Sequence, residues 1–280
     1  MQSFTSTRSG TLTYTRAGQG DPLVCVPGGP LLPADYLGDL GGLTQHAELI
    51  LFDPPGSLPG DDTDAAALRC DLIVEDLEAL RQHLGLGRVA LLGHSAGANI
   101  VLRYAERYGE HVERLLLVTP STRSVGLDIS NADRSAVARS RAGEPWYDTA
   151  AAALVRIQAG EATEDDWNDI APFSHGRWDD AAAEYEAAMN SARNPRAAAA
   201  FGAEGAFDPP VTRQALGALH TPVTIVAGSV DVGLPLPVAQ EFVDLFPQAT
   251  LEVQVGAGHF PWVDDRHAFL DIAVKALARR

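Results

Sequence analysis

The sequence predicts an α/β protein, a doubly wound and mostly parallel sheet carrying a helical insertion, and three observations lead there. Short β-rich apolar runs alternate with amphipathic helical stretches over residues 10–120. The alternation stops over 121–214, where Ala-rich helical stretches follow one another without a convincing strand, and it resumes over 215–280. Strand-helix-strand order with right-handed crossovers builds one sheet with helices on both faces. The expected organisation is a core of residues 1–120 and 215–280 and a helical cap, or lid, of 121–214.

Each element has a local reason. Residues 10–17 (GTLTYTRA) alternate polar and apolar side chains like a half-exposed strand. Residues 23–26 (LVCV) and 48–52 (ELILF) are continuous apolar runs ending in Pro/Gly turns, as buried parallel strands do. Over 64–84, Ala67, Cys70, Ile73, Val74, Leu77, Leu80 and Leu84 recur at helical spacing, predicting one long helix that Gly85 and Gly87 end. A strand at 88–92 (RVALL), a helix at 96–108 and a strand at 112–118 (VERLLLV) follow. In the insertion, helices are expected at 131–142, 148–159, 178–193 and 195–204, broken by Pro145, Pro172, Pro195 and Pro209-Pro210. Residues 214–219 close a further helix; strands at 222–227 (PVTIVA) and 250–255 and helices at 238–246 and 266–278 complete the chain.

With 46% hydrophobic and 21% charged residues, the composition is globular and excludes a disordered, collagen-like or coiled-coil chain. The 21 basic residues against 37 acidic ones leave a net charge of −16, which repels nucleic acid and anionic membrane surfaces, so neither is an expected partner. Half of that net charge sits in residues 161–186, where nine acids face one base, Arg177. No run approaches the roughly 18 apolar residues of a membrane span, and residues 1–20 are polar and Thr/Ser-rich. A soluble cytoplasmic protein is expected. Cys25 and Cys70 are too few for a disulfide framework and have no metal-ligand neighbours in sequence, so both read as core residues and no metal site is expected.

Chemistry enters at Gly93-His94-Ser95-Ala96-Gly97, a G-x-S-x-G pattern placed directly after one expected strand and directly before an expected helix. That strand, tight turn and helix is the setting of a nucleophile elbow, which presents a serine Oγ above the carboxyl ends of the strands. A serine hydroxyl needs an adjacent base, so a histidine and an orienting acid should follow downstream. Of eight histidines, His259 lies on a glycine-rich turn just past the last strand, and Asp231 lies just past the strand before it. The order Ser95, Asp231, His259 suits this elbow. Asp128, in the connection after residues 112–118, is a rival for the acid.

Five segments in order, PGGP at 27–30, FDPPG at 52–56, GHSAG at 93–97, LHTPVTIVAGSVD at 219–231 and GAGHFPW at 256–262, resemble the α/β-hydrolase fold over nearly the full length. Within it, PGGP resembles the HGGP element of proline iminopeptidases and their relatives. The resemblance implies an oxyanion hole made by the N–H groups of Gly29 and Ala96. Pro27 stands where that family usually has histidine, Pro55 where it has arginine, and Ala98 where a second glycine follows the elbow.

Substrate-binding candidates are Gly28, His94, Trp146, Glu184, Glu204 and Phe260. His94 reads as a pocket-lining or structural residue, since adjacent residues on a tight turn point apart. Trp146, Tyr147, Trp167, Phe173, Trp178, Tyr185, Phe201 and Phe207 either line a pocket or pack the Ala-rich helices. Glu184, Glu186 and Glu204 either bind a substrate ammonium, as cap acids do in proline iminopeptidases, or form a solvated face. The expected function is a serine hydrolase acting on a small-molecule or short-peptide substrate, a carboxylic ester or amide, with no metal or organic cofactor implied. A proline iminopeptidase-type aminopeptidase and a non-enzymatic ligand binder on the same scaffold are the alternatives.

Overall fold

In the computed structural model, which describes residues 1–279, the apolar runs become the centre of one eight-stranded sheet. The chain runs β1 (Gln2–Ser6), β2 (Gly10–Ala17), β3 (Pro22–Val26), β4 (Glu48–Asp53), α1 (Cys70–His83), β5 (Val89–His94), α2 (Gly97–Tyr108) and β6 (Val112–Val118). Six helices follow: α3 (Asn131–Arg139), α4 (Tyr147–Ala159), α5 (Glu164–Asp169), α6 (Asp180–Ser191), α7 (Pro195–Phe201) and α8 (Pro209–Gly217). Then come β7 (Val223–Gly228), α9 (Leu236–Val243), β8 (Ala249–Gln254), α10 (Pro261–Asp264) and α11 (Arg266–Ala278). The strand order is β1-β2-β4-β3-β5-β6-β7-β8, antiparallel in the β1/β2 and β2/β4 pairs and parallel thereafter.

The two faces of the parallel strands are sorted by the period of two. Val24, Ile50, Leu91, Leu115 and Ile225 pack with Ile73, Val74 and Leu77 of α1 and with Val101 and Tyr104 of α2. Their neighbours Cys25, Leu49, Leu92, Leu116 and Val226 face the other way, against Phe269, Ala273 and Ala276 of α11. Each fully buried aliphatic side chain of this kind contributes about 1.5–3 kcal/mol relative to exposure. Every residue of β5 and β7 is buried, which is why those strands read as unbroken apolar runs, whereas β2 buries only Leu12 and Tyr14. Both cysteines are free and buried, Cys25 and Cys70 serving opposite faces.

The structure departs from the expected elements most clearly in the following places. β1 is added at the edge; its QSFTS sequence offers one large apolar residue, Phe4, and no readable run. The β1–β2 hairpin is held instead by buried Asp76 of α1, which accepts from Ser6 Oγ at 2.5 Å and Ser9 Oγ at 2.9 Å and pairs with Arg8. The helix expected from residue 64 starts at Cys70, because Asp64 caps a separate 3-10 turn (Ala65–Ala67) and Arg69 is extended at ψ 142°. α5 forms on a capping box between Thr163 and Asp166 rather than on an apolar stripe. The expected boundary at 214/215 falls inside α8, whose Leu216 joins the core against α2 and whose Arg213 donates to the Val125 carbonyl at 2.6 Å. Among the described residues no helix is long and apolar enough to cross a membrane.

Candidate active site

The site is built on the turn between β5 and α2. Ser95 is held at φ +51°, a left-handed conformation that a non-glycine residue adopts at a cost and that turns its side chain out of the sheet. Two glycines make the turn possible. A Cβ on Gly93 would lie 2.8 Å from Ala98 Cα, and one on Gly97 would run into the Val26 and Pro27 carbonyl oxygens. The turn is pinned by Ser95 N–H donating to the Val118 carbonyl at 3.0 Å and Ser121 N–H donating to the Ser95 carbonyl at 2.9 Å.

Backbone contact also brings the other two residues to it. A Cβ on Gly228, at the end of β7, would collide with the carbonyl oxygens of Ala257 and Gly258, so the loops after β7 and β8 touch main chain to main chain. They carry Asp231 and His259. His259 Nδ1 lies 2.8 Å from Asp231 Oδ2, and its Nε2 lies 2.8 Å from Ser95 Oγ. The carboxylate can only accept, so Nδ1 carries the proton and Nε2 is left to accept from the serine hydroxyl. Asp231 is buried, and its second oxygen accepts from Gly233 N–H at 2.6 Å. The rival Asp128 is exposed, and the carboxylate on His259 is that of Asp231.

Burial pushes the His259 imidazolium toward losing its proton. The charge and hydrogen bond of Asp231, helped by Glu186, outweigh burial and the repulsion of Arg134, so the His259 pKa stands above its ordinary 6.5. The pair therefore adds stability that is complete below pH 6.5 and is lost as pH rises through the folded value.

The PGGP turn closes the other side. A Cβ on Gly28 would lie 2.8 Å from Ser95 Cβ, so the bare backbone rests directly on the serine. Gly29 sits at φ +118°. Among the described residues the N–H groups of Gly29 and Ala96 have no hydrogen-bond partner, whereas Gly28 N–H donates to the Tyr36 hydroxyl at 2.7 Å.

Five of the substrate-binding candidates lie in quite different settings. Glu184 and Glu204 are exposed on the outside of the helical segment, where solvation suits a carboxylate best. His94 is buried, bonded to Tyr36 through Nδ1 at 2.6 Å and to the His259 carbonyl through Nε2 at 3.0 Å; burial, then the charge of His259, holds its pKa well below 6.5. Phe260 is buried among the rings of His94, His175 and Tyr185, where it backs His259. Trp146 is half-buried, its ring perpendicular to that of Phe173 and its face under the Arg141 guanidinium. The acid of α6 that turns inward is Glu186, 3.2 Å from buried His175 and 3.8 Å from Arg193.

Residues with no local motif complete the site. The His259 carbonyl accepts from Thr119 Oγ1 at 2.9 Å, and the His259 N–H donates to the Ser174 carbonyl at 2.7 Å. Ser174 belongs to the helical segment, and Arg141 fixes the stretch after it by donating to the His175 and Gly176 carbonyls at 2.8 and 3.1 Å. A Cβ on Gly258 would lie 2.5 Å from the Ser174 oxygen, so this contact is also close-packed. Only the strand ends and this segment, not any spacing along the chain, bring these groups together. Among the described residues no three His, Cys, Asp or Glu side chains are grouped to hold a metal ion.

The family described as alpha/beta hydrolase fold matches residues 21–265. The chain belongs to that family. The chain is similar to a proline iminopeptidase of Heyndrickxia coagulans, 31% identical over 108 residues, so the match spans 38% of this chain and only 38% of that relative's length. Its structure is similar to that of a proline iminopeptidase from Mycobacterium smegmatis, with a TM-score of 0.73, 22% identity and 98% and 97% of the two chains covered. It is also similar to an esterase from Exiguobacterium antarcticum, with a TM-score of 0.69, 17% identity and 99% of each chain covered. At these identities the structural likenesses show the fold. The proteins it resembles include esterases and proline iminopeptidases, and in sequence the chain is proline iminopeptidase-like.

Proposed function

We propose that the protein is a serine hydrolase that cleaves a small carboxylic ester or amide through an acyl-enzyme on Ser95. The observation carrying this reading is the pair of 2.8 Å contacts that run from Ser95 Oγ through His259 to Asp231. His259 Nε2 takes the hydroxyl proton as Ser95 Oγ attacks the carbonyl carbon, and Asp231 stays ionised, fixing the tautomer and stabilising the imidazolium. The N–H groups of Gly29 and Ala96 receive the developing oxyanion. The imidazolium then protonates the leaving alcohol or amine, a water loses its proton to His259 in attacking the acyl carbon, and the acid leaves with Ser95 restored. Residues 121–214 act as a lid over the strand ends, apart from α8 at their close.

Within that reading we favour an ester over an N-terminal peptide. Of the three candidate ammonium partners, Glu184 and Glu204 face solvent, and Glu186 is engaged by His175 and Arg193. Aminopeptidase action is the second reading, supported by the likeness to proline iminopeptidases and by the inward position of Glu186. A rate panel decides between them. With 4-nitrophenyl acyl esters and aminoacyl 4-nitroanilides side by side, kcat/KM for the best ester should exceed that for prolyl anilide by about a hundredfold or more. A preference for the anilide, with Glu186→Gln raising its KM more than about tenfold, would establish the aminopeptidase instead.

A further inference from the structure

A chain of three hydrogen bonds runs from the PGGP turn to the His259 peptide, and no step of hydrolysis uses it. Its proton positions are fixed by chemistry. The His259 carbonyl oxygen can only accept, so His94 Nε2 carries the hydrogen in the 3.0 Å contact. The bare Nδ1 of a neutral imidazole is then an acceptor, and the Tyr36 hydroxyl donates to it at 2.6 Å. The same hydroxyl oxygen accepts from Gly28 N–H at 2.7 Å.

We propose that His94 is a positioning residue which, with Tyr36, ties the Gly28–Gly29 turn on one side of Ser95 to the His259 peptide on the other. The inference rests on the reading of Ser95 and His259 as nucleophile and base. A neutral imidazole supplies one donor and one acceptor on opposite edges of a rigid ring. Burial holds His94 neutral, opposing a second proton that would break the bond from Tyr36. The ring is confined by Trp262, edge-on at a centroid distance of 4.8 Å, and by Phe260 at 5.3 Å. Thr119 shares the His259 carbonyl and Ser174 takes its N–H, so the link through His94 is the one that reaches across to the oxyanion turn.

The consequence is that Gly29 N–H and His259 Nε2 keep a common register with Ser95. Loosening the link should slow the chemical step while leaving substrate binding alone. It should also relax the contact between His259 and Asp231. The charged groups facing His259 are Asp231, Glu186 and Arg134, and of these Asp231 raises its pKa most. The acid limb of the rate profile should therefore move to lower pH.

The test compares Tyr36→Phe, His94→Leu and His94→Gln on 4-nitrophenyl butyrate, with fluorophosphonate labelling in parallel. Tyr36→Phe should lower kcat about tenfold with KM within about twofold. His94→Leu should lower kcat about a hundredfold and shift the acid limb downward, and His94→Gln, whose amide can still donate to the His259 carbonyl, should recover about tenfold of that loss. If His94→Leu does not fold, Tyr36→Phe decides alone, because it removes one oxygen and touches neither Ser95 nor His259. Wild-type kcat and an unmoved acid limb in Tyr36→Phe, with Ser95 still labelled, would overturn the inference. Absence of labelling in the wild-type protein would instead overturn the reading of Ser95 on which it stands.

Discussion

Ser95→Ala is expected to abolish labelling by a fluorophosphonate and to lower kcat on esters by roughly 10⁴- to 10⁶-fold. The size of the effect follows from the geometry. Ser95 Oγ is the atom that His259 Nε2 addresses, and removing it leaves a base with no nucleophile to activate. The oxyanion donors and the binding surface remain, so a residual rate above that of water is expected. The fold should survive, because alanine accepts the φ of +51° about as well as serine and the pinning bonds of the turn are made by main-chain atoms. An unchanged urea midpoint together with lost turnover is the expected pair of results; persistent labelling of the alanine variant would end the assignment.

Asp231→Asn is expected to lower kcat by about 10³- to 10⁴-fold while preserving the shape of the site. An amide in place of Oδ2 can donate to His259 Nδ1, which drives the ring proton to Nε2 and removes the acceptor that Ser95 needs. The charge is lost as well. In the wild-type protein kcat/KM should rise with pH through a His259 pKa above 6.5, since the imidazolium cannot act as base. Without the Asp231 carboxylate, burial is left opposed by weaker forces, so the residual activity should show its acid limb at lower pH. Stability runs the opposite way. The wild-type protein gains from the ion pair at pH values where it is least active, and the asparagine variant should lose that acid-side advantage. Rate profiles and urea midpoints at several pH values measure both.

Much of this was legible along the chain because it depends on local rules. Buried parallel strands must be apolar on both faces, so LVCV, ELILF and PVTIVA announced β3, β4 and β7. The elbow needs glycines where a Cβ would strike backbone, so GHSAG located Ser95, and strand order then placed Asp231 and His259. What stayed hidden depends on distance in space. Tyr36 is an ordinary tyrosine in a short turn until His94 is found beside it, and Thr119 gains its role only when β6 ends beneath the loop after β8. The acids of 161–186 were ambiguous for a different reason. A solvated face and a binding face carry the same residues, and only the packing of α6 separates inward Glu186 from outward Glu184.

The contact between Ser174 and His259 bears on how such a protein can be re-engineered. Here the helical segment supplies the carbonyl that accepts from the His259 N–H, with Gly258 and Gly176 free of side chains so that the two stretches can meet. A chimera that replaced the segment whole would set a foreign stretch against the loop of His259 and shift its imidazole before any substrate arrived. The graft has to leave Arg141 and residues 174–177 in place, so that donor helices are spliced around a retained bridge.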